Sequence, residues 1–129
     1  MKTALTTNLL SVVFLLGFFT FQSGIDEVIG ALKAGNATEL SKYIEDNVEI
    51  TLPDKSDNYS KAQAALILKD FFANSVVKTF DVKHKGDQGG GQFCIGTLQT
   101  KSGNYRTMVF MKAKGNKQVM KEIRFQSVE

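Results

Sequence analysis

The chain has 129 residues, enough for one domain, with a formal net charge of +3 from 16 basic and 13 acidic side chains. One cysteine excludes an internal disulfide, and one histidine leaves few ligands for a structural metal site. Only Arg106 and Arg124 are arginines, so the lysines read as a solvated surface. The clustered basic stripe of a nucleic-acid domain is missing, and no nucleic-acid partner is expected.

The N-terminus differs from the rest. Lys2 precedes an uncharged run from Leu9 to Phe21, LLSVVFLLGFFTF. That length suits a signal-peptide core and falls short of the roughly 20 residues that span a bilayer as a helix. Small or polar Gln22, Ser23 and Gly24 follow. The reading is a signal peptide over 1–23 and a mature domain over 24–129. The chain is expected to be exported to the periplasm or cell exterior, with no membrane attachment after cleavage; the alternative is that the segment stays uncleaved as an anchor. Cys94 lies far downstream, so nothing supports a lipid-anchored N-terminus.

Ser23 and Asp26 open a helix in which Ile25, Val28, Ile29 and Leu32 form one apolar stripe, closed by Gly35. Asn36 and Glu39 cap a second, short helix that turns Leu40, Tyr43 and Ile44 inward. Val48–Leu52 alternates as a half-buried strand, 53–58 is a turn, and Tyr59 closes a short hairpin. Ser60 caps a third helix over 61–74, with Ala64, Ile67, Leu68, Phe71 and Phe72 buried. Four strands follow near 78–85, 92–101, 105–114 and 117–126, joined by a glycine loop at 86–91 and turns at 103–104 and 115–116.

Hairpin arithmetic then sorts side chains by face. Loops at those positions pair His84 with Phe93, Thr97 with Phe110 and Met108 with Ile123. Directly opposed residues share a face. The inner face so read holds Phe80, Val82, Phe93, Ile95, Met108, Phe110, Val119, Ile123 and Phe125. Lys112 and Lys121 break that pattern unless a bulge intervenes. The outer face holds Cys94, Leu98, Val109, Met111 and Met120 among Asp81, Lys83, Thr107, Glu122 and Arg124. Its apolar content makes Leu98, Val109, Met111 and Met120 the candidate dimer face.

The stretches ALKAGNATELSKYIEDNVEITLPDKSDNYSKAQAALILKDFF and FCIGTLQTKSGNYRTMVFMKAKG carry a resemblance over about 25–126. In their order of elements they resemble the nuclear-transport-factor-2-like, or cystatin-like cone, superfamily. More closely they are similar to a family of small secreted bacterial proteins of unknown function within it. The resemblance implies an α+β fold in which a cone of curved antiparallel sheet wraps three N-terminal helices, with a C-terminal meander of four long strands. The superfamily includes isomerase-like and cyclase-like enzymes as well as domains that only bind or dimerise, so fold does not decide activity.

Acid–base chemistry in such a cone needs a carboxylate or histidine paired with a donor. The inner face as read holds no Asp or Glu, and Asp81 and Glu122 face away. Tyr43, Tyr59 and His84 are the ligand-pocket candidates. Cys94 is on the face opposite His84, which excludes a Cys–His dyad and a shared metal site. No catalytic residue, metal or cofactor is assigned. Gly89–Gly91 joins two strands and lacks the strand-to-helix setting of a phosphate loop. The first expectation is a non-catalytic exported domain that binds a small ligand or protein partner, or forms a homodimer. The alternative is a small-molecule isomerase, dehydratase or hydrolase using the cone pocket.

Overall fold

The computed structural model describes residues 24–128. The segment 1–23 expected to be a signal peptide, and with it the expected Ser23 cap, lies outside the described residues. Helix α1 (Gly24–Ala34) buries Ile25, Val28, Ile29 and Leu32, the stripe set by their spacing. It closes in a Schellman motif, with Gly35 N–H donating to Leu32 O and Asn36 N–H to Ala31 O, at 3.1 and 2.9 Å. The motif needs a left-handed residue, and Gly35 sits at φ 61°. Asn36 Oδ1 then accepts from Glu39 N–H and starts α2 (Ala37–Ser41). Leu40 and Ile44 are buried, while Tyr43 is half-buried.

Strands β1 (Asn47–Leu52) and β2 (Lys55–Ser60) form a hairpin whose turn is only Pro53–Asp54. The expected turn over 53–58 is thus too long. Lys55–Asn58 pair with β1 although they are polar, because β2 is an edge strand and needs no apolar face. A capping box between Ser60 and Gln63 starts α3 (Lys61–Asn74), which buries Ala64, Leu68 and Phe72.

Strands β3 (Val77–Gln88), β4 (Gly91–Thr100), β5 (Gly103–Lys114) and β6 (Lys117–Val128) form an antiparallel meander. The sheet is curved, six-stranded and mixed, in the order β2-β1-β6-β5-β4-β3. Its one parallel contact, β1 on β6, corrects the expectation of an all-antiparallel sheet. The helices and the inward side chains of the sheet make a single apolar cluster.

Three departures alter the register. The supposed loop 86–91 is a tight turn of Gly89 and Gly90, at φ 59° and 81°, so β3 runs on to Gln88. The next turn is Lys101–Ser102, two residues before the expected Gly103–Asn104. Thr100 Oγ1 draws it closed by accepting from Ser102 N–H and donating to Gly103 O. Most consequential are three β-bulges, with Lys78 and Lys83 as the extra residues on β3 and Lys121 on β6. Each reverses side-chain parity along its strand.

The result is a corrected division of faces. Phe80, Ile123 and Phe125 lie inward as expected, but they join Cys94, Leu98, Val109, Met111 and Met120 there. Phe93, Ile95, Met108 and Phe110 lie on the outer face with His84, Glu122 and Arg124. Leu98, Val109 and Met120 are fully buried and Met111 nearly so, at 0, 0, 0 and 3% exposure. These four are core residues and not a dimer face. Their apolar character came from the helices they cover.

Candidate functional site

The interior is packed with aromatic rings. Phe71 of α3 lies 4.4 Å from Phe125 and 5.2 Å from Tyr105, between ring centroids, and Phe72 lies 6.1 Å from Phe125. Phe80 and Phe125 fill the cone as expected; Phe93 and Phe110 do not, and α3 supplies Phe71 and Phe72 instead. The buried polar residues are Ser41, Ser75, Thr100 and Thr107, with no carboxylate, lysine, arginine or histidine among the described residues. Every buried side-chain nitrogen or oxygen described has a hydrogen-bond partner, so no orphaned polar atom points into a cavity.

The three pocket candidates are spread apart. Tyr43 lines an open cleft of about 340 Å³ with Glu27, Gln92, Asn116 and Gln118. Tyr59 pairs with Val48 and packs against the core. His84 is exposed on the outer face beside Ile95, next to the Lys83 bulge. No described cleft is lined by two of these residues. A second cleft, of about 380 Å³, lies between α3 and the β1–β2 hairpin. Ile67, Phe71 and Tyr105 form part of its lining, and Asp54 and Asp70 also border it.

Cys94 sits within the core opposite Val109, and burial pushes its thiol up to about 12, away from the thiolate form that nucleophilic chemistry needs. No group of three His, Cys, Asp or Glu among the described residues could hold a metal ion. Among the described residues, Glu45 is the one carboxyl markedly shifted. Hydrogen bonds from Lys114 and Lys117 hold it at about 2. That is a structural clasp between the 42–46 turn and the β5–β6 hairpin.

What the fold leaves uncovered is the outer face of its central strands. The cross-strand rows there are Glu122–Phe110–Phe93–Gly86 and Arg124–Met108–Ile95–His84. Phe93 and Phe110 stack at 6.1 Å. Phe110 is 37% exposed, and Phe93, Ile95 and Met108 are half-buried by one another and by the sheet. Arg124 Nε donates to Glu122 Oε2 at 2.7 Å along the border of this patch. Hairpin arithmetic grouped the four apolar residues correctly but placed them under the helices. Lys112 and His84, which share their face, were the sign that it is open.

A family model described as "Domain of unknown function (DUF4783)" matches residues 25–126. The chain is similar to a crystallised DUF4783 family protein from Bacteroides uniformis, with 38% identity and a TM-score of 0.77, over 81% of this chain and 96% of that one. A DUF4783 family protein from Bacteroides ovatus gives 36% identity and a TM-score of 0.76, over 80% and 94% of the two chains. At 11% identity and a TM-score of 0.57, over 81% and 86%, an NTF2-like protein of unknown function from Cytophaga hutchinsonii shares the fold. No curated protein matches. With the family model spanning nearly all the described residues, the chain belongs to the DUF4783 family of domains of unknown function, built on a nuclear-transport-factor-2-like fold.

Proposed function

We propose that the mature chain is an exported, non-catalytic interaction domain that works through the outer face of its sheet, while a cone-like inner face serves only to hold the helices. The carrying observation is the cluster of Phe93, Ile95, Met108 and Phe110 on the solvent side of β4 and β5. Contiguous exposed apolar surface on a folded domain marks a place where something binds. The uncharged run Leu9–Phe21 supports export. Catalysis in the cone has no support from Tyr43, Tyr59 and His84, which share no described cleft, and the described residues place no acid–base pair in the interior.

The test is a photo-crosslinking amino acid placed at position 110 of the full chain in the living cell. A discrete adduct is expected from 110 and none from 66, where Leu66 stands 68% exposed on α3. Absence of any adduct at 110 refutes the reading. Introducing aspartate at Met108 and Phe110 together should abolish the adduct formed from position 93.

A further inference from the structure

We propose that the cleft of about 340 Å³ at the start of α1 is a binding site for a neutral mono- or disaccharide, held through its hydroxyl groups. The cleft lies on the helix side of the sheet, beside the β5–β6 turn, and shares no residue with the outer apolar face or the ring-filled interior. The proposal is independent of the outer-face reading and stands or falls without it.

The walls of the cleft are fixed by backbone groups. Ile25 N–H, a donor that the first turn of α1 leaves without a helical partner, donates to Gln92 Oε1 at 3.0 Å. Gln92 N–H in turn donates to Gln118 Oε1 at 3.3 Å. A Cβ at Gly24 would stand 2.9 Å from Gln118 Cβ, so this glycine lets α1 close on the glutamine. On the other side Met120 N–H donates to Tyr43 O at 2.7 Å, and Glu45 clasps the same turn to Lys114 and Lys117. A ligand therefore meets walls that it does not have to order, which lowers the cost of binding.

The lining selects the ligand. No aliphatic or Phe side chain borders the cleft, whereas sites for apolar ligands are lined mainly by such groups. The side-chain NH2 groups of Asn116 and Gln118 and the Tyr43 hydroxyl make no hydrogen bond among the described residues, and Glu27 makes no ion pair there. Donors and acceptors thus stand open side by side. An anion finds no free cation in the lining, because Lys117 is held by Glu45 at 3.0 Å and Glu27 repels negative charge. Glu27 and Glu45 balance Lys114 and Lys117, so the site carries no net charge for an ion to neutralise. A sugar hydroxyl donates and accepts at once, which matches amides, a phenol and a carboxylate set together. The volume lies near the lower end of the roughly 300–1,000 Å³ of small-molecule sites, which limits the ligand to a mono- or disaccharide.

The test is an NMR titration of the isotope-labelled chain, expressed in full and purified as the cell processes it. The probes are glucose, galactose, mannose, N-acetylglucosamine, maltose and cellobiose. At least one should bind saturably, with a Kd of about 1 mM or tighter, and move the side-chain amide resonances of Asn116 and Gln118. Glu27→Ala and Asn116→Ala, both at exposed positions, should each weaken that binding by about tenfold or more and leave the rest of the spectrum in place. Tyr43→Phe, which removes only the hydroxyl, should weaken it severalfold. Inorganic phosphate and tetraglycine are titrated alongside. Lack of saturable binding by every sugar of the panel overturns the proposal. Binding that survives Glu27→Ala and Asn116→Ala, or that moves only Phe93, Ile95, Met108 and Phe110, overturns this cleft as the site. Tighter binding of phosphate or tetraglycine than of any sugar overturns the saccharide and assigns the cleft to an anion or a peptide.

Discussion

Phe125 and Phe110 carry the same side chain on adjacent strands, and hairpin arithmetic alone puts both in the core. The bulge at Lys121 separates them. Phe125 is fully buried between Phe71 and Phe72, whereas Phe110 is 37% exposed and touches mainly Phe93. Phe125→Ala removes a ring from a site that cannot collapse, which costs about 3–5 kcal/mol from lost transfer energy and the cavity together. Phe110→Ala opens onto solvent, so the cavity contribution vanishes and about 1–2 kcal/mol of partial burial is lost. Urea denaturation followed by circular dichroism measures both. With a slope of about 1.5 kcal/mol per molar, the midpoint should fall by about 2–3 M for Phe125→Ala and by about 1 M for Phe110→Ala. The titration belongs at low protein concentration, so that association between chains adds nothing to the second value. Equal midpoint shifts, or a larger one for Phe110→Ala, would refute the assignment of faces.

Three further outcomes follow from the same structure. Cys94, buried with its thiol raised to about 12, should resist a thiol reagent at pH 8 in the folded chain and react fully once unfolded; rapid reaction when folded would contradict its position. Glu45 is held at about 2 against an ordinary 4.5, so its stabilising contribution is complete above pH 4.5 and lost as pH falls through about 2. Glu45→Gln should accordingly flatten the acid arm of a stability–pH profile in that window, and an unchanged arm would remove the clasp. Deleting Lys121 should preserve cooperative unfolding, because Met120 and Glu122 then follow one another opposite Met111 and Phe110 and leave Ile123 and Phe125 inward, and Lys121→Ala should change stability by about 0.5 kcal/mol or less; a deletion that abolishes cooperative unfolding would show that Lys121 is not the extra residue.

Much of the fold was legible because local chemistry dictates it. Asn36 and Ser60 cap the helices they precede, Gly35 closes α1, and the apolar spacing of 25–32 and 64–72 selects the buried faces. The Gly115–Asn116 turn stands where expected. Gly89–Gly90 was readable in principle, since two successive glycines suit a turn with two positive φ angles, but the third glycine hid which pair forms it. The bulges were not readable. An extra residue in a strand leaves no composition signal, and a lysine at 78, 83 or 121 is equally at home on a regular outward position. The pairing of β1 with β6 depends on tertiary packing alone. Because the candidate site is defined by which face is open, its location inherited the error in register even though its members were grouped correctly.

Asp81 and Glu122 point outward despite that inversion, for a physical reason. Asp81 precedes the Lys83 bulge and Glu122 follows the Lys121 bulge, so both keep the outward direction while the strand bodies between the bulges turn over. The same reversal leaves β4 and β5 apolar on both sides. Phe93–Cys94–Ile95 and Met108–Val109–Phe110–Met111 are continuous runs, alternating inward residues at 0–3% exposure with outward ones. A strand with one wet face alternates between apolar and polar, and a strand covered on both faces does not. The edge strand β2 has no such run, and its outward Ser56, Asn58 and Ser60 are polar. Two-sided apolarity in the two strands at the centre of the open patch is therefore the pattern that the proposed interaction face requires.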